Sequence, residues 1–475
     1  MNDALCLDYA HITLSSHTFI MTEPKVKKQR VERLQCEFFL EKKKRRCGMT
    51  RKAEFEYCSE HLNLLKRREG EQTHNGTGKG SRVPCPLDPR HTVWERELNR
   101  HLKKCNKAKQ AITPANSLCY RKDFNAVAQD CQPLPAVSDD LALRCIPILR
   151  DIFSKEFMHD DIPLLVKSNQ QVEFHRFPQL LSNRKHAIQQ SSLIQHLKEN
   201  GLFPSSSETA STTYIEFGCG RAELSRYVNQ SIILDQFTGK DKSTALNPPD
   251  FVLIDRASNR MKFDKKFVDD VNDFYSTYEP ECSARKYPQL TREKIDIKDL
   301  YIDGLIESGV DGSKCVAISK HLCGVATDLT IRCVLNSAKL HVENQLLHGM
   351  LIAMCCRHAC DPLQYANRPF IEKLLKAHTT AQDITYVQFF QVLKKVASWA
   401  VCGRKPGVND QDVNNHFTKL PVVERESLGN MARRIIDEGR AQLLRDNGYR
   451  ASLIRYVETD ISLENVAMLV CKTDR

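Results

Sequence analysis

The sequence predicts an α/β fold, a mixed and mostly parallel sheet flanked by helices, preceded by two small metal-binding modules. Three observations lead to it. Continuous apolar runs, CVAISK at 315–320 and GMLIAM at 349–354, lack polar alternation, which is the pattern of parallel strands buried on both faces. STTYIEFGCGRAELSRYV joins an apolar strand over Thr213–Phe217 to a helix starting near Ala222 through a Gly-x-Gly turn. Eight cysteines and histidines, Cys36, Cys47, Cys58, His61, Cys85, His91, His101 and Cys105, fall within one basic segment.

The 475 residues carry 70 Lys and Arg against 59 Asp and Glu, a net charge of +11, with 41% hydrophobic residues. That composition excludes a wholly disordered or collagenous chain, and the length suggests about two to four domains. Charge is uneven along the chain. Residues 22–110 hold 24 Lys and Arg against 12 Asp and Glu, so the surplus of 12 lies there and residues 111–475 are nearly neutral at +1. A basic segment of this kind favours nucleic acid as partner, although a charge run alone is more often a solvated face. No long uncharged apolar stretch and no secretory signal is present, so an intracellular protein without a membrane partner is expected, in the nucleus, the cytoplasm or both. The 19 cysteines are spread along the chain, and in a reducing compartment their placement beside histidines favours metal binding or catalysis over disulfides.

Residues 1–30 are expected to be disordered. Met21, followed by Thr-Glu-Pro-Lys, would serve as a start, and the first 21 residues receive no function. The first module, 31–70, places Cys36, Cys47, Cys58 and His61 with gaps of ten, ten and two residues. Three thiolates and one imidazole close a tetrahedral zinc shell, the structural arrangement; unrelated thiols in a basic stretch are the competing reading. A Gly-rich linker, EGEQTHNGTGKGSR, follows. The second module, 80–110, spaces Cys85, His91, His101 and Cys105 by five, nine and three residues. His101 and Cys105 lie one helical turn apart, with Trp94 and Leu98 expected on the same helix as a small apolar core beside the metal. This segment resembles the CHHC-type finger of a spliceosomal protein and of a eukaryotic tRNA methyltransferase family.

A less ordered linker is expected over 111–140, then the large domain over 141–475. Glu216, two residues before Gly218 and Gly220, completes E-x-G-x-G, the signature of class I S-adenosylmethionine (SAM) methyltransferases. Asp255 ends the strand DFVLID, where an acid accepts a ribose diol; Asp235 after SIIL is the competing candidate. Asp296, after a third strand, is a candidate adenine contact or else a surface acid. KHLCGVATDL follows the fourth strand and brings Lys320, His321, Cys323, Gly324 and Asp328 to the strand ends. CCRHAC follows the fifth, and Cys355, Cys356, His358 and Cys360 admit three roles: a polar active-site wall, a third metal site, or structure. Residues 361–430 read as an inserted helical, substrate-facing region. The closing helix, strand, turn, strand matches the antiparallel last strand of a seven-stranded, Rossmann-like methyltransferase sheet.

Taken together, these motifs identify a resemblance to the eukaryotic tRNA 2′-O-methyltransferase family that modifies the fourth nucleotide of the acceptor stem, from about Cys36 to Leu469. The resemblance implies zinc modules that recognise tRNA and a domain that transfers methyl from SAM, with no obligate protein partner inferred. Two departures stand out: Ala222 replaces a third glycine, and no Lys-Asp-Lys-Glu tetrad of other ribose methyltransferases is evident. For the poorly acidic ribose hydroxyl, Lys320 is the first candidate base or alkoxide partner, with His321 and His358 as alternatives. A catalytically inactive RNA-binding or splicing protein and a methyltransferase for other substrates are the competing functions.

Overall fold

The computed structural model describes residues 34–40, 45–58, 61, 62, 65, 82–103, 105, 117–128 and 134–473. Within the last span 135, 178–183, 205–210, 239–246, 258, 260, 261, 307–312, 379–382, 403–408, 410, 412, 414 and 415 are excepted. The expected disorder of 1–30 and most of the looping insertion FTGKDKSTALNPP lie outside the described residues. The chain forms two compact units, 1–109 and 110–475, each described by itself.

In the first unit, β1 (Phe39–Leu40) pairs antiparallel with β2 (Arg45–Arg46). The backbone bonds Cys36 N to Met49 O and Cys47 N to Phe38 O draw the first two cysteines together. The second module is a hairpin, β3 (Arg82–Cys85) against β4 (Asp88–Trp94), followed by the short helix α1 (Leu98–Leu102). Trp94 therefore closes the hairpin strand and does not ride on the helix as expected, because the chain pairs Arg82 with Trp94 before it turns.

The second unit opens with three helices, α2 (Asp139–Glu156), α3 (Gln170–Arg176) and α4 (Lys185–Glu199), the first started by Ser138, whose side chain accepts from Leu141 N. Strand and helix then alternate: β5 (Thr212–Phe217), α5 (Glu223–Thr238), β6 (Asp250–Ile254), α6 (Asp264–Tyr278), β7 (Leu290–Glu293), β8 (Lys314–Cys323), α7 (Val325–Leu335) and β9 (Leu347–Cys355). After α8 (Arg368–His378), α9 (Tyr386–Ala397) and α10 (Trp399–Cys402), the long α11 (Val422–Asp446) leads to β10 (Tyr449–Arg455) and β11 (Val466–Lys472). The sheet order is β10-β11-β9-β8-β5-β6-β7, with β11 antiparallel to both neighbours and the pairs from β9 to β7 parallel. This is the expected seven-stranded mixed sheet.

Alternate residues of each strand feed two cores. Ile215, Phe217 and Ala317 pack with Ile331 and Val334 of α7 on one face; Tyr214, Val316 and Ile318 pack with Leu193 of α4 and Val228 of α5 on the other. A third core joins α2 to α8, α9 and the first half of α11. The helical region 361–430 is thus present, and its apolar faces are spent on an internal core.

Two expectations change here. SIIL lies inside α5, so Asp235 sits on a helix, where it pairs with Lys198 at 2.8 Å. Residues 117–128, expected within a linker, pack on the second unit: fully buried Asn125 donates to Ile297 O and Leu300 O at 2.7 Å each. Among the described residues no helix is long and apolar enough to cross a membrane.

Candidate functional site

The turn between β5 and α5 is built by backbone conformation that favours glycine. Gly218 and Gly220 have φ of 68° and 51°, and Ala222 takes φ 63° in place of a third glycine. A Cβ on Gly218 would stand 3.3 Å from Leu322 Cδ1, so this loop runs close against β8. Glu216 is buried behind the turn, where it accepts from the hydroxyl and the amide of Ser225; burial raises its carboxyl to about 7. It therefore ties the strand to the helix and does not line the cavity in front. Arg292 secures the same turn, donating to Gly220 O at 3.1 Å and pairing with Asp264 at 2.6 Å. No local pattern marks Arg292, whose partners lie 28 and 72 residues away.

Asp255 directly follows β6 with both oxygens engaged: one accepts from Gly220 N and the other from Ala257 N, each at 2.7 Å. Asp296 follows β7 and accepts from Lys298 N at 3.1 Å. These acids, with Gly218, His321 and Cys323, line a cavity of about 910 Å³ at the carboxyl ends of the parallel strands. This is where open α/β sheets bind ligands, and the volume suits a small-molecule cofactor. Its outer wall was not foreseen. Asp123, Ala126 and Val127 belong to it, and Gln364 holds them there by accepting from Val127 N at 2.9 Å and donating to Val127 O at 2.8 Å.

Lys320 and His321 diverge at the end of β8, where the register slips and His321 takes φ 65°. His321 lines the cavity, and its ring meets Gln189 Oε1 at 3.1 Å. Burial, then the Lys320 charge, pushes it down to about 4, so it is neutral at physiological pH. Lys320 does not line this cavity. Its Nζ lies 3.1 Å from His186 Nδ1, and burial, opposed by Glu223, brings it down to about 8. His358 is exposed on the short turn Arg357–Ala359 and is not among the residues lining the cavity.

The remaining members of the two motifs separate into thiols and scaffold. Cys355 and Cys356 meet Cys323, whereas Cys360 turns inward to Arg440 at 3.1 Å. Asp328, expected among the strand-end residues, is fully buried and paired with Arg440 at 2.7 Å. Arg440 also meets Asp437, which binds buried Arg357 at 2.6 Å; Arg357 reaches Glu464 as well. Burial of such charges demands partners, and the network provides them.

In the first unit, the donor atoms of Cys36, Cys47, Cys58 and His61 all lie within 4.8 Å of one another. Both Cys36 Sγ and Cys58 Sγ stand 3.4 Å from His61 Nδ1, and the His61 ring stacks on Phe38. Four donors closing on one point fit a structural zinc ion. Cys85, His101 and Cys105 converge likewise, with the two sulfurs 3.8 Å apart and His101 Nε2 3.2 Å from Cys85 Sγ. The His91 side chain lies outside the described residues.

Comparison with known proteins follows the same division. Residues 188–471 match the family described as Methyltransferase TRM13, 34–62 the CCCH zinc finger in TRM13 protein, and 82–106 the U11-48K-like CHHC zinc finger. A Saccharomyces cerevisiae protein named tRNA:m(4)X modification enzyme TRM13 is 45% identical over 93% of this chain and 96% of its own. Its Eremothecium gossypii namesake is 46% identical over 92% and 94%, and that of Schizosaccharomyces pombe 31% over 82% and 95%. Among solved structures, the plantazolicin methyltransferase BpumL in complex with SAH is similar at 10% identity and a TM-score of 0.23, covering 70% of this chain and 97% of that one.

Proposed function

Because the chain belongs to the TRM13 methyltransferase family and carries two zinc fingers, we propose that it transfers a methyl group from SAM to a ribose 2′-hydroxyl of tRNA, at the fourth nucleotide of the acceptor stem. The observation that carries this reading is the cavity at the strand ends, where a close-packed glycine turn and two strand-end acids face one space. Gly218 leaves room for a ligand backbone, Asp255 offers an acceptor for a ribose diol, and Asp296 is placed for the adenine. Glu216 acts one layer back, holding the turn through Ser225. When bound, SAM supplies an electrophilic methyl on a sulfonium.

The chain must supply alignment and a route for the hydroxyl proton. Lys320 lies outside the cavity lining, next to His321 on β8 and against His186. It is assigned the second task on the side from which the ribose would enter, since an amine brought down to about 8 is partly neutral at physiological pH and can accept a proton. His321, neutral but weakly basic, contributes shape and hydrogen bonding at the cavity edge. His358 is exposed and holds no comparable position. For substrate capture, the surplus of 12 positive charges in residues 22–110 suits an A-form stem, which is read through phosphates and 2′-hydroxyls across its shallow groove.

The test is to incubate the full chain with tRNA and methyl-labelled SAM, then hydrolyse the RNA in alkali. A 2′-O-methyl group blocks cleavage at its own nucleotide, so label should appear in one alkali-stable dinucleotide spanning positions four and five. Label in mononucleotides, as a base methyl gives, overturns the ribose assignment; label elsewhere overturns the position.

A further inference from the structure

Three thiols meet at the rim of the cavity, and the proposed transfer uses none of them. Cys323 ends β8 and Cys355 ends β9, and they are in-register neighbours on adjacent strands. The Sγ of Cys323 lies 2.9 Å from that of Cys355 and 3.5 Å from that of Cys356. Three sulfurs this close resemble a metal site, but their spacing argues otherwise. Two thiolates on one tetrahedral zinc, each about 2.3 Å from the ion, stand about 3.8 Å apart, and Cys85 and Cys105 of the finger are separated by 3.8 Å. From 2.9 Å apart, the same two bonds would need an S–Zn–S angle of about 80° in place of about 109°. A disulfide demands far less. The sulfurs need to close by under about 1 Å to reach roughly 2.05 Å, and strands about 4.8 Å apart lie within the Cα separations that disulfides accept.

We propose that Cys323 and Cys355 are a reversible oxidation site, forming a disulfide when the chain meets a peroxide, with Cys356 as a neighbouring thiol able to exchange with it, and that this bond stops methyl transfer. The Cys323 thiolate attacks one peroxide oxygen; the S–O bond forms as the O–O bond breaks, and the departing oxygen takes up a proton as water. The sulfur of Cys355 then attacks the resulting sulfenic acid. The S–S bond forms, the S–O bond breaks, and the hydroxyl leaves with the Cys355 proton as a second water. Two thiols are oxidised by two electrons and one peroxide is reduced.

The two cysteines are unequal in the required sense. Cys323 is exposed, and its hydrogen bonds with Cys355 and Cys356 outweigh burial to bring it down to about 6, while Cys355 is pushed up by the Cys323 contact and then by burial. An accessible low-pKa thiol is the one that peroxides attack. The neighbourhood has little slack: Gly324 N donates to Cys355 O at 3.1 Å, and a Cβ on Gly324 would lie 2.6 Å from the Ala359 carbonyl carbon. Drawing the sulfurs together therefore moves the cavity edge that Cys323 forms.

Inhibition rests on the proposed reading of the cavity, but bond formation does not, so the two are measured separately. The zinc-loaded full chain is treated with graded hydrogen peroxide, alkylated, digested and read by mass spectrometry, alongside methyl transfer and zinc content. The expected result is a Cys323–Cys355 crosslinked peptide appearing no later than oxidation of exposed Cys402. Transfer should fall at least about fivefold and return with a thiol reductant. Cys323→Ser and Cys355→Ser should each lose the crosslink and the peroxide-dependent fall relative to their own untreated rates. If Cys355→Ser does not fold, the exposed Cys323→Ser carries the test. Oxidation of Cys402 without the crosslink overturns the proposal, as does a third zinc equivalent that Cys323→Ser removes. A crosslink with unchanged transfer overturns the inhibition. If the untreated chain transfers no methyl, the proposed function fails while the crosslink still decides the oxidation site.

Discussion

If the neutral amine of Lys320 takes the proton from the ribose hydroxyl, the chemical step follows the fraction of Lys320 that is unprotonated. With its amine at about 8, that fraction is about one eleventh at pH 7 and about ten elevenths at pH 9, so the rate rises roughly tenfold and then levels. The sign follows from the direction of the shift: burial disfavours the ammonium, and raising the pH completes its loss. The charged and titratable groups that act on Lys320 include Glu223, Arg176, Glu216 and Cys355, with His186 in contact and His321 beside it. Glu216, near 7, titrates at the lower end of the window, and His321, near 4, stays neutral throughout. Lys320→Arg separates these contributions, since it keeps Glu216 but installs a guanidinium that does not deprotonate. Its single-turnover rate should fall about 100-fold or more, with the rise between pH 7 and 9 abolished. The assay is rapid-quench methyl transfer with tRNA and SAM saturating, and SAH affinity measured in parallel by calorimetry. A flat or falling profile in the unmodified chain, or the same rise in Lys320→Arg, would refute the reasoning.

Gln364→Ala removes both hydrogen bonds that hold Val127 to the cavity wall. SAH affinity should weaken about tenfold, or about 1.4 kcal/mol, and an unchanged Kd by calorimetry would show that residues 123–128 add nothing to binding. Arg440→Met strands Asp328 and part of the Asp437 charge in the core. Urea unfolding should show a loss of about 3–5 kcal/mol, and a loss below about 1 kcal/mol would contradict the network. Chelation should remove two zinc ions and weaken tRNA binding by about tenfold or more at moderate salt. SAH affinity should be unaltered, and filter binding that shows full tRNA affinity without zinc would count against capture by the fingers.

The elements that sequence made legible are those whose signal is local. Gly218 and Gly220 sit where backbone with positive φ is needed, and a run such as CVAISK can only be buried on both faces. The cysteine and histidine spacings likewise point to donors that converge, four of them at Cys36, Cys47, Cys58 and His61 and three at Cys85, His101 and Cys105. Signals from distant partners were not legible. Arg440 meets Asp328 across 112 residues and Arg357 meets Asp437 across 80, and no spacing marks either pair. The stretch 117–128 has no apolar periodicity, because it is held by Asn125, Gln364 and backbone groups and not by an amphipathic face. As the acid ending the second strand, Asp255 is preferred to Asp235, and the helical state of SIIL and the place of Asp255 in the cavity separate the two.

The two motifs that straddle the ends of β8 and β9 each mix reactive groups with charges that never reach the cavity. Asp328 from the first and Arg357 from the second both end on α11, through Arg440 and Asp437, all four nearly or fully buried. A buried ion cluster is a costly way to gain stability, since apolar residues of like volume often serve as well. Its directional bonds do something apolar packing does not: Arg440 of α11 grips Gly324 O at 3.2 Å, and Arg357, which binds Met354 O within its own strand end at 2.8 Å, is itself held by Asp437 of α11 at 2.6 Å, so one helix ties both strand ends. Lys320, His321 and Cys323 hang from the first of those ends and Cys355 from the second. Their separations are thus set by α11, and a change at Arg440 should disturb the cavity edge as well as the core.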